Sequence, residues 1–346
     1  MSNKSGSPIA VVGGGGWGTA IAVHLAQKGQ KVSLWVREDE VAEQILRDRI
    51  NNQFLPGVRM PDSIEVVRDL PSIINAEIEF VIMAVPTHGI RNVLDIIKGK
   101  AGPKSVFVSV AKGFEMDTLK RPSELINEVG KISLEKICVL SGPSHAEEVG
   151  RGVPTAVVAA SLDRETSEET QKLFFSPRFR VYTNTDPLGV EIGGALKNVI
   201  AIACGVSDGL KFGDNTKAAL MTRGLAEITR LGVALGAKRE TLWGLAGLGD
   251  LIVTCASELS RNRGLGLRIG RGEKPSVILS GMKQVAEGVK ACHGAIALSK
   301  IRNITMPISQ QVYGMLFQDL APMEALEGLL SRGMRSEEEG LGERQG

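Results

Sequence analysis

The chain has 346 residues, long enough for two domains, because single hydrophobic cores stop growing near ~250–300 residues. Its formal net charge is only +2 and it contains no long basic run, which argues against a nucleic-acid or anionic-lipid partner. Hydrophobic residues make up 43% of the chain, as in an ordinary globular protein, and we expect no membrane insertion, since no apolar stretch reaches the ~18–20 residues of a span.

The cysteines and the two ends of the chain predict a cytoplasmic protein without a metal site. The cysteines are scattered and lack the spacing of metal ligands: Cys138, Cys204, Cys255 and Cys292. Reduced cysteines, and a polar stretch over residues 1–7 without the apolar core of a signal sequence, favour the cytoplasm. Residues 336–346 are charged, glycine-rich and aperiodic, so we expect a disordered tail.

The pattern of the chain changes near Pro187. Before it, β-branched runs alternate with helical patterns, which predicts a parallel sheet covered by helices. The predicted strands are residues 9–12, 31–36, 80–85, 105–110, 137–140, 155–160 and 180–182. After it the strands stop, and the predicted helices are residues 188–206, 216–235, 277–282, 288–301 and 308–317. The sequence therefore predicts an α/β domain over residues 1–187 and an all-α domain over residues 188–335.

A glycine-rich turn follows the first predicted strand directly and precedes a helical pattern over residues 19–27. Gly13, Gly15 and Gly18 occupy the positions of a GxGxxG motif, in which the first glycine allows a tight turn, the second lets a pyrophosphate approach and the third lets helix and strand pack closely. The helix N-terminus offers free N–H groups to phosphates. Although such a loop can be an ordinary turn, its place between strand and helix favours a Rossmann-like, doubly wound dinucleotide fold.

The end of the second strand bears on which dinucleotide binds. An NAD-selective fold usually places an acid here to bind the ribose 2′-hydroxyl, whereas this chain places Arg37 before Glu38. A guanidinium can hold a 2′-phosphate, which favours NADPH or the use of both NADPH and NADH. The alternative is that Arg37 is a solvated loop cation and that Glu38 binds the ribose.

Further loops follow the carboxyl ends of predicted strands, where ligands bind in a doubly wound sheet. Lys112 lies directly after a buried strand, where it can meet a carbonyl oxygen or a phosphate; the alternative is a surface lysine. Residues 141–144 read as a turn with exposed N–H and hydroxyl groups, and Ser144 could also cap a helix with Glu147 as its partner. We interpret His88 and His145, which lie near predicted helix starts, as ordinary surface residues.

The long helix over residues 188–206 contains one cation, Lys197, with small residues on the same face. Burial there removes hydration and lowers the pKa of a lysine towards neutrality, so Lys197 can exchange a proton with a substrate alkoxide. Asn198 beside it can orient a ligand or the lysine. The alternative is a lysine that extends from the helix to solvent.

Two later turns carry further polar residues. Asp250 follows an apolar, glycine-rich stretch and can form an ion pair with Lys197, or else cap a helix. Ser260, Arg261 and Asn262 together suit a phosphate, with a guanidinium fork and two shorter donors, although a solvated basic turn is equally compatible.

Taken in order, these motifs resemble the cytoplasmic NAD(P)-dependent glycerol-3-phosphate dehydrogenases of the bacterial type, from about residue 8 to residue 332. The motifs are residues 13–19 (GGGGWGT), 111–113 (AKG), 141–146 (SGPSHA), 194–198 (GALKN), 247–250 (GLGD) and 260–262 (SRN). The glycine loop alone is unspecific, whereas six ordered motifs are specific. The chain departs from the family at Gly14 and Gly16, where the family more often has alanine and then serine or another small residue.

The resemblance implies a fold like that of 6-phosphogluconate dehydrogenase, a homodimer, NADPH or NADH as cofactor and a phosphorylated triose as substrate. It assigns to the cofactor, besides the glycine loop, Gly16, Trp17, Arg37, Lys112, Ala146, Arg261, Val285 and Glu287. It assigns to the substrate Lys112, Gly142, Ser144, Lys197, Asp250, Ser260, Arg261 and Asn262. Lys197 is the implied proton acceptor in the oxidative direction, and the implied product, sn-glycerol 3-phosphate, supplies phospholipid synthesis.

Two other functions remain compatible with parts of this pattern. A β-hydroxyacid-type dehydrogenase also uses a lysine and an asparagine on the first helix after the sheet, but the AKG and SRN motifs argue against it. A non-catalytic dinucleotide sensor would keep the glycine loop and lack a buried lysine such as Lys197.

Overall fold

The structure is a computed structural model that describes residues 8–282 and 286–334. The chain divides into two compact units: the first takes in residues up to Ala111 together with Lys120–Pro187, and the second takes in Lys112–Leu119 and the chain from Leu188 onward. The sequence places Lys112–Leu119 in the first domain, whereas the structure groups it with the helices. The reason is that Phe114 is buried in the apolar core of the helical unit.

In the residues that the structure describes, the first unit contains ten strands. They are β1 (Pro8–Val12), β2 (Lys31–Trp35), β3 (Ile50–Asn51), β4 (Leu55–Arg59), β5 (Glu65–Val67), β6 (Phe80–Met83), β7 (Val106–Ser109), β8 (Ile137–Ser141), β9 (Thr155–Ala160) and β10 (Phe179–Asn184). Eight of them form one sheet in the order β10-β9-β8-β7-β6-β1-β2-β5, and β3 pairs with β4 as a separate antiparallel hairpin.

Helices cover both faces of this sheet. They are α1 (Gly16–Gln27), α2 (Asp39–Asp48), α3 (Thr87–Ile97), α4 (Pro122–Glu128), α5 (Ala146–Gly150) and α6 (Arg164–Phe174). Along β1, Ile9 and Val11 belong to one apolar core, while Ala10 and Val12 belong to another. Because successive side chains of a strand point to opposite faces, the sheet is buried on both sides, as the continuous apolar run predicts. The predicted Rossmann-like fold is confirmed.

The sheet differs from the prediction in two ways. First, it is not wholly parallel: β9 runs antiparallel to β8, because the connection between them holds only the short helix α5, which packs on α1 instead of crossing back over the sheet. Second, β3, β4 and β5 are absent from the prediction. β3 and β5 are very short, and β4 contains Pro56 and Gly57, which weaken the strand signal.

The second unit is helical in its described part. Its helices are α7 (Pro187–Gly209), α8 (Gly213–Ala234), α9 (Arg239–Leu242), α10 (Asp250–Ala256), α11 (Arg261–Gly270), α12 (Pro275–Ser280), α13 (Glu287–Ile301), α14 (Pro307–Phe317) and α15 (Pro322–Leu330). A π-helical turn, Leu245–Gly249, leads directly into α10. The five predicted helices are present, with ends that differ by a few residues.

Helix α11 is absent from the prediction because its glycines lower the helical signal. In the structure Gly266 of this helix and Gly205 of α7 serve packing. A Cβ on Gly266 would lie 2.0 Å from the Ile202 carbonyl oxygen of α7, and a Cβ on Gly205 of α7 would lie 2.0 Å from the Arg263 carbonyl oxygen. The glycines therefore let α7 and α11 approach backbone to backbone, which places the start of α11 beside α7.

By length and composition alone, α7 is a candidate membrane span, contrary to the expectation from the sequence. Its 23 residues are almost all buried within the helical unit. A helix buried in a protein core passes the same test, because most of its residues are apolar.

Candidate active site

The glycine loop has the geometry that a dinucleotide phosphate requires. Gly13 has φ +125°, and a Cβ there would lie 2.8 Å from the Ala84 carbonyl oxygen. A Cβ on Gly18 would lie 1.9 Å from the Gly13 carbonyl oxygen, so the loop and the first turn of α1 can touch only without a side chain. By contrast, a Cβ on Gly15 would have nothing within 4 Å. The loop is therefore tightly packed at the first and third glycines and open at the second, the N-cap of α1, where a phosphate would bind.

Residues next to the loop explain the departure at Gly16. A Cβ there would lie 2.6 Å from the Phe54 carbonyl oxygen and 3.7 Å from the Ala146 Cβ. The loop between β3 and β4 thus occupies the space that a side chain at this position would need. Trp17 packs partly buried against the core of the first unit, and Ala146 begins α5 beside α1. Gly16, Trp17 and Ala146, which the resemblance assigns to the cofactor, lie together at the start of α1.

Arg37 and Glu38 form an ion pair with each other directly after β2. The Arg37 Nε and Nη2 atoms donate to Glu38 Oε1 at 3.0 and 2.5 Å, and Glu38 is the N-cap of α2. The two side chains are 73% and 39% exposed, so both are accessible to a ligand from solvent. This ion pair is compatible with Arg37 as a ligand of the 2′-phosphate and with Glu38 as a ligand of the ribose. It also means that the Glu38 carboxylate already accepts from the N–H groups with which Arg37 would bind a 2′-phosphate.

Gly142 and Ser144 lie in the turn that follows β8. Gly142 has φ +143°, and a Cβ there would lie 3.0 Å from the Val157 Cα, so only glycine fits. The Ser144 hydroxyl donates to the Gly142 carbonyl oxygen at 2.8 Å. The alternative that Ser144 caps the next helix is wrong: His145 is the N-cap of α5, and the Ser144 side chain turns back onto its own loop.

In the helical unit, two lysines converge on one buried carboxylate. The Lys112 Nζ atom donates to Asp250 Oδ2 at 2.7 Å, and the Lys197 Nζ atom donates to Asp250 Oδ1. The Asp250 and Lys197 side chains are only 1% and 8% exposed, and that of Lys112 is 18% exposed. The predicted ion pair between Asp250 and Lys197 is confirmed, and the alternative that Lys197 extends to solvent is wrong. Lys112 joins them from the segment Lys112–Leu119.

Thr254 completes this cluster, and the sequence offers no signal for it. Its hydroxyl accepts from Lys197 Nζ at 2.7 Å and donates to the Asp250 carbonyl oxygen at 2.6 Å, one turn earlier in α10. Asp250 and Thr254 lie one above the other on α10, so both reach the same ammonium. The carboxylate and the hydroxyl fix the position of Lys197 Nζ within its buried site.

The electrostatics of the cluster suit proton transfer. Burial lowers the pKa of Lys197 to about 8; the Asp250 carboxylate opposes this shift, and the charge of Lys112 adds to it. An ammonium has three N–H groups, of which Asp250 and Thr254 use two, so one is left for a substrate oxygen. A lysine with a pKa near the working pH can both donate and accept a proton.

The stretch over residues 260–262 begins α11, and its three side chains lie in different surroundings. The Ser260 hydroxyl caps the helix by accepting from the Arg263 N–H at 3.2 Å. Asn262 is buried: its amide nitrogen donates to Asn198 Oδ1 at 2.9 Å, and its amide oxygen accepts from the Gly288 N–H at 2.9 Å. Arg261 is the exposed first residue of the helix. An exposed guanidinium at a helix N-terminus suits an anionic ligand.

Two further residues that the resemblance assigns to the cofactor lie near α13. Glu287 begins this helix, and burial raises the pKa of its carboxyl group, opposed by the charges of Lys290 and Arg261. Val285 lies outside the described residues, as does the predicted disordered tail over residues 336–346.

Comparison with known proteins decides the family. A model of the N-terminal domain of NAD-dependent glycerol-3-phosphate dehydrogenases matches residues 8–167, and the corresponding C-terminal model matches residues 186–327. The chain belongs to the NAD-dependent glycerol-3-phosphate dehydrogenases. The two matches together span both units, so the dehydrogenase family accounts for the α/β unit and the helical unit alike.

Individual relatives agree with this assignment. The dehydrogenase is 48% identical, over 94% of its length and 96% of the relative's, to glycerol-3-phosphate dehydrogenase (NAD(P)+) of Moorella thermoacetica. It is 39% identical to the crystal structure of glycerol-3-phosphate dehydrogenase from Coxiella burnetii, with a TM-score of 0.89 over 94% of this chain and 99% of that one. It is thus an NAD(P)-dependent oxidoreductase. A D-mandelate dehydrogenase structure at 13% identity and TM-score 0.61, covering 90% of this chain and 98% of that one, shares the fold alone.

Proposed function

We propose that this dehydrogenase catalyses the reversible reduction of dihydroxyacetone phosphate to sn-glycerol 3-phosphate with NADPH or NADH, in the cytoplasm and as a homodimer, and thereby supplies the backbone of glycerophospholipids. The observation that carries the proposal is the buried cluster of Lys197, Asp250, Lys112 and Thr254 in a chain of this family. Light scattering on the purified protein tests the dimer: the mass of one chain would contradict it.

The protein residues divide the work of a ketone reduction. A nicotinamide cofactor, when bound, would supply the hydride for the C2 carbonyl carbon. Lys197 donates a proton to the C2 oxygen as negative charge develops there, and in the oxidative direction it takes that proton back. Asp250 and Thr254 hold its ammonium in place, and the charge of Lys112 favours an oxyanion close to it.

The substrate phosphate is assigned to the start of α11. Arg261 offers a guanidinium fork, and the helix N-terminus adds a positive dipole end. The loop after β8, with Gly142 and Ser144, is assigned to the polar end of the triose. The glycine loop of residues 13–18 is assigned to the pyrophosphate, and Lys112, Trp17, Arg37, Ala146, Arg261 and Glu287 to other parts of the dinucleotide, as the family resemblance implies.

One assay separates this function from its alternatives. The wild-type protein should oxidise NADPH, followed by its absorbance, when dihydroxyacetone phosphate is added, and far less with unphosphorylated dihydroxyacetone. Turnover of unphosphorylated β-hydroxy acids with none of the phosphorylated triose would establish the β-hydroxyacid alternative. Binding of NADPH without turnover of any of these substrates would establish the sensor.

Replacing Arg261 by alanine should lower kcat/KM for dihydroxyacetone phosphate by roughly 10²-fold, because loss of a charge-assisted contact to the phosphate costs several kcal/mol. Remote binding energy of this kind is expressed in the transition state, so kcat should fall as well as affinity. The kcat/KM for unphosphorylated dihydroxyacetone should fall much less. Steady-state kinetics with both substrates measure the difference.

Arg268 provides the matched control for Arg261, since it lies on the same helix and pairs with Glu273 on the surface. Arg268→Ala should leave kcat/KM for both substrates unchanged. If Arg261→Ala lowers kcat/KM equally for the phosphorylated and unphosphorylated substrates, Arg261 does not bind the phosphate.

The pair of Arg37 and Glu38 predicts opposite shifts in cofactor preference. Arg37→Ala should weaken the binding of NADPH by about tenfold or more relative to that of NADH, because only NADPH carries the 2′-phosphate. Glu38→Gln should strengthen the binding of NADPH relative to that of NADH, because the substitution removes the ion pair with the Arg37 guanidinium and a negative charge near the 2′-phosphate. Fluorescence titration gives both dissociation constants. Arg47→Ala is the control, since Arg47 pairs with Asp48 and its side chain is also 73% exposed. An equal loss of NADH and NADPH in Arg37→Ala would contradict the assignment.

A further inference from the structure

The hairpin of β3 and β4 lies against the glycine loop, and the last residue of β3 is Asn51, whose side chain is buried. Asn51 is 0% exposed, although asparagine is usually a surface residue. Neither the motifs nor the proposed chemistry uses it. A buried amide needs partners for its donors and its acceptor, because a polar group buried without them costs free energy.

The partners of Asn51 are on the glycine loop and on its own hairpin. Its amide nitrogen donates to the Gly14 carbonyl oxygen at 2.8 Å and to the Thr19 hydroxyl at 2.9 Å. Its amide oxygen accepts from the Phe54 N–H at 3.1 Å. The Thr19 hydroxyl also lies 3.4 Å from the Gly14 carbonyl oxygen. The Gly14 carbonyl is thus held from the hairpin side.

The direction of this carbonyl determines the direction of the next N–H group. The peptide between Gly14 and Gly15 is trans, since the described chain has no cis peptide bonds, and in a planar trans peptide the N–H points opposite to the C=O. With the Gly14 carbonyl directed at Asn51, the Gly15 N–H points away from the hairpin. Among the glycines of this loop, Gly15 is the one at which an added Cβ would meet nothing within 4 Å.

We propose that Asn51 is a positioning residue for the dinucleotide: by holding the Gly14 carbonyl, it directs the Gly15 N–H to the open side of the loop, where the pyrophosphate binds. Glycines on both sides of this peptide give it little conformational restraint of its own, so a contact from outside has to supply it. The Phe54 carbonyl of the same hairpin lies beside Gly16, where a Cβ would be only 2.6 Å from its oxygen.

Two substitutions test the proposal. Asn51→Asp keeps the shape of the side chain but faces the Gly14 carbonyl with an acceptor, and Asn51→Ala removes the contact. Both should raise the dissociation constants of NADPH and NADH by about tenfold or more and by similar factors, because both cofactors carry the pyrophosphate. Since the hydrogen bonds of Asn51 go to Gly14, Thr19 and Phe54, none of which is assigned to the substrate, kcat at saturating cofactor should stay within about threefold of wild type. Fluorescence titration and steady-state kinetics measure the two quantities.

The matched control is Asn127→Asp in the same unit. Asn127 also donates through its amide to a backbone carbonyl, that of Ile132, at 2.8 Å, but lies on α4, which packs on α3, β7 and β8. It should leave cofactor binding unchanged even where the thermal unfolding temperature of the cofactor-free protein falls. The proposal is overturned if either folded Asn51 variant binds both cofactors like wild type, or if its loss is confined to kcat. The inference rests on the cofactor site proposed above: a wild-type protein that binds neither cofactor would overturn that site itself.

Discussion

Lys197→Ala is expected to lower kcat for the reduction of dihydroxyacetone phosphate by about 10²–10⁴-fold, because a positioned acid–base group typically contributes that much. The dissociation constant of NADPH should change little, since Lys197 acts on the substrate oxygen. Lys197→Arg should be nearly as inactive, because a guanidinium keeps the positive charge but does not release its proton at these pH values. Single-turnover kinetics and fluorescence titration separate the chemical step from cofactor binding.

Lys217→Ala is the matched control for this experiment. Lys217 lies in the same helical unit, is largely buried and pairs with Asp208 at 2.6 Å, but it takes no part in the cluster around Asp250. Its replacement should affect thermal stability more than turnover. A Lys197→Ala protein that keeps more than about a tenth of the wild-type kcat would exclude Lys197 as the proton donor.

Asp250→Asn is expected to have the second large effect, and the pH profile is its most informative measurement. Reduction needs the Lys197 ammonium, so kcat/KM of the wild-type enzyme should fall as the pH rises through the Lys197 pKa of about 8. The Asp250 carboxylate is the charge that opposes the lowering of this pKa. Without it the pKa of Lys197 falls further, and the decline should begin at lower pH. At neutral pH, kcat/KM should drop by about tenfold or more, because two lysines lose their shared buried partner.

The chain offers a close control for this variant in Asp208. Its carboxylate also pairs with two cations, Lys217 at 2.6 Å and Arg263 at 2.7 Å, within the same unit. Asp208→Asn should lower the free energy of unfolding but leave the pH at which kcat/KM declines unchanged. An Asp250→Asn enzyme whose decline stays at the wild-type pH would show that Asp250 does not set the protonation of Lys197.

Much of the fold and part of the site follow from the sequence because their signals are local. The glycine loop needs small residues at fixed spacing between a strand and a helix, and Gly13, Gly15 and Gly18 show that spacing directly. The long apolar helix with one lysine is equally visible, since a cation among small and apolar residues has few other roles. Before Pro187, β-branched runs alternate with helical patterns, and after it the strand-like runs stop. This change predicts a sheet unit and a helical unit.

What only the tertiary structure decides are the contacts between distant segments. Lys112 reaches Asp250 across 138 positions of the sequence, because the segment that carries it is anchored in the helical unit by Phe114. Thr254 meets Lys197, and Asn51 meets Gly14, through packing that leaves no pattern in their neighbouring residues.

The direction of β9 in the sheet is also decided only by the tertiary structure. A run of apolar residues predicts a strand but not its orientation, which depends on whether the connection before it crosses the sheet. Local periodicity therefore determines which elements form and where the chemical groups lie along them. The three-dimensional packing of those elements determines which groups share a proton, a carboxylate or a peptide carbonyl.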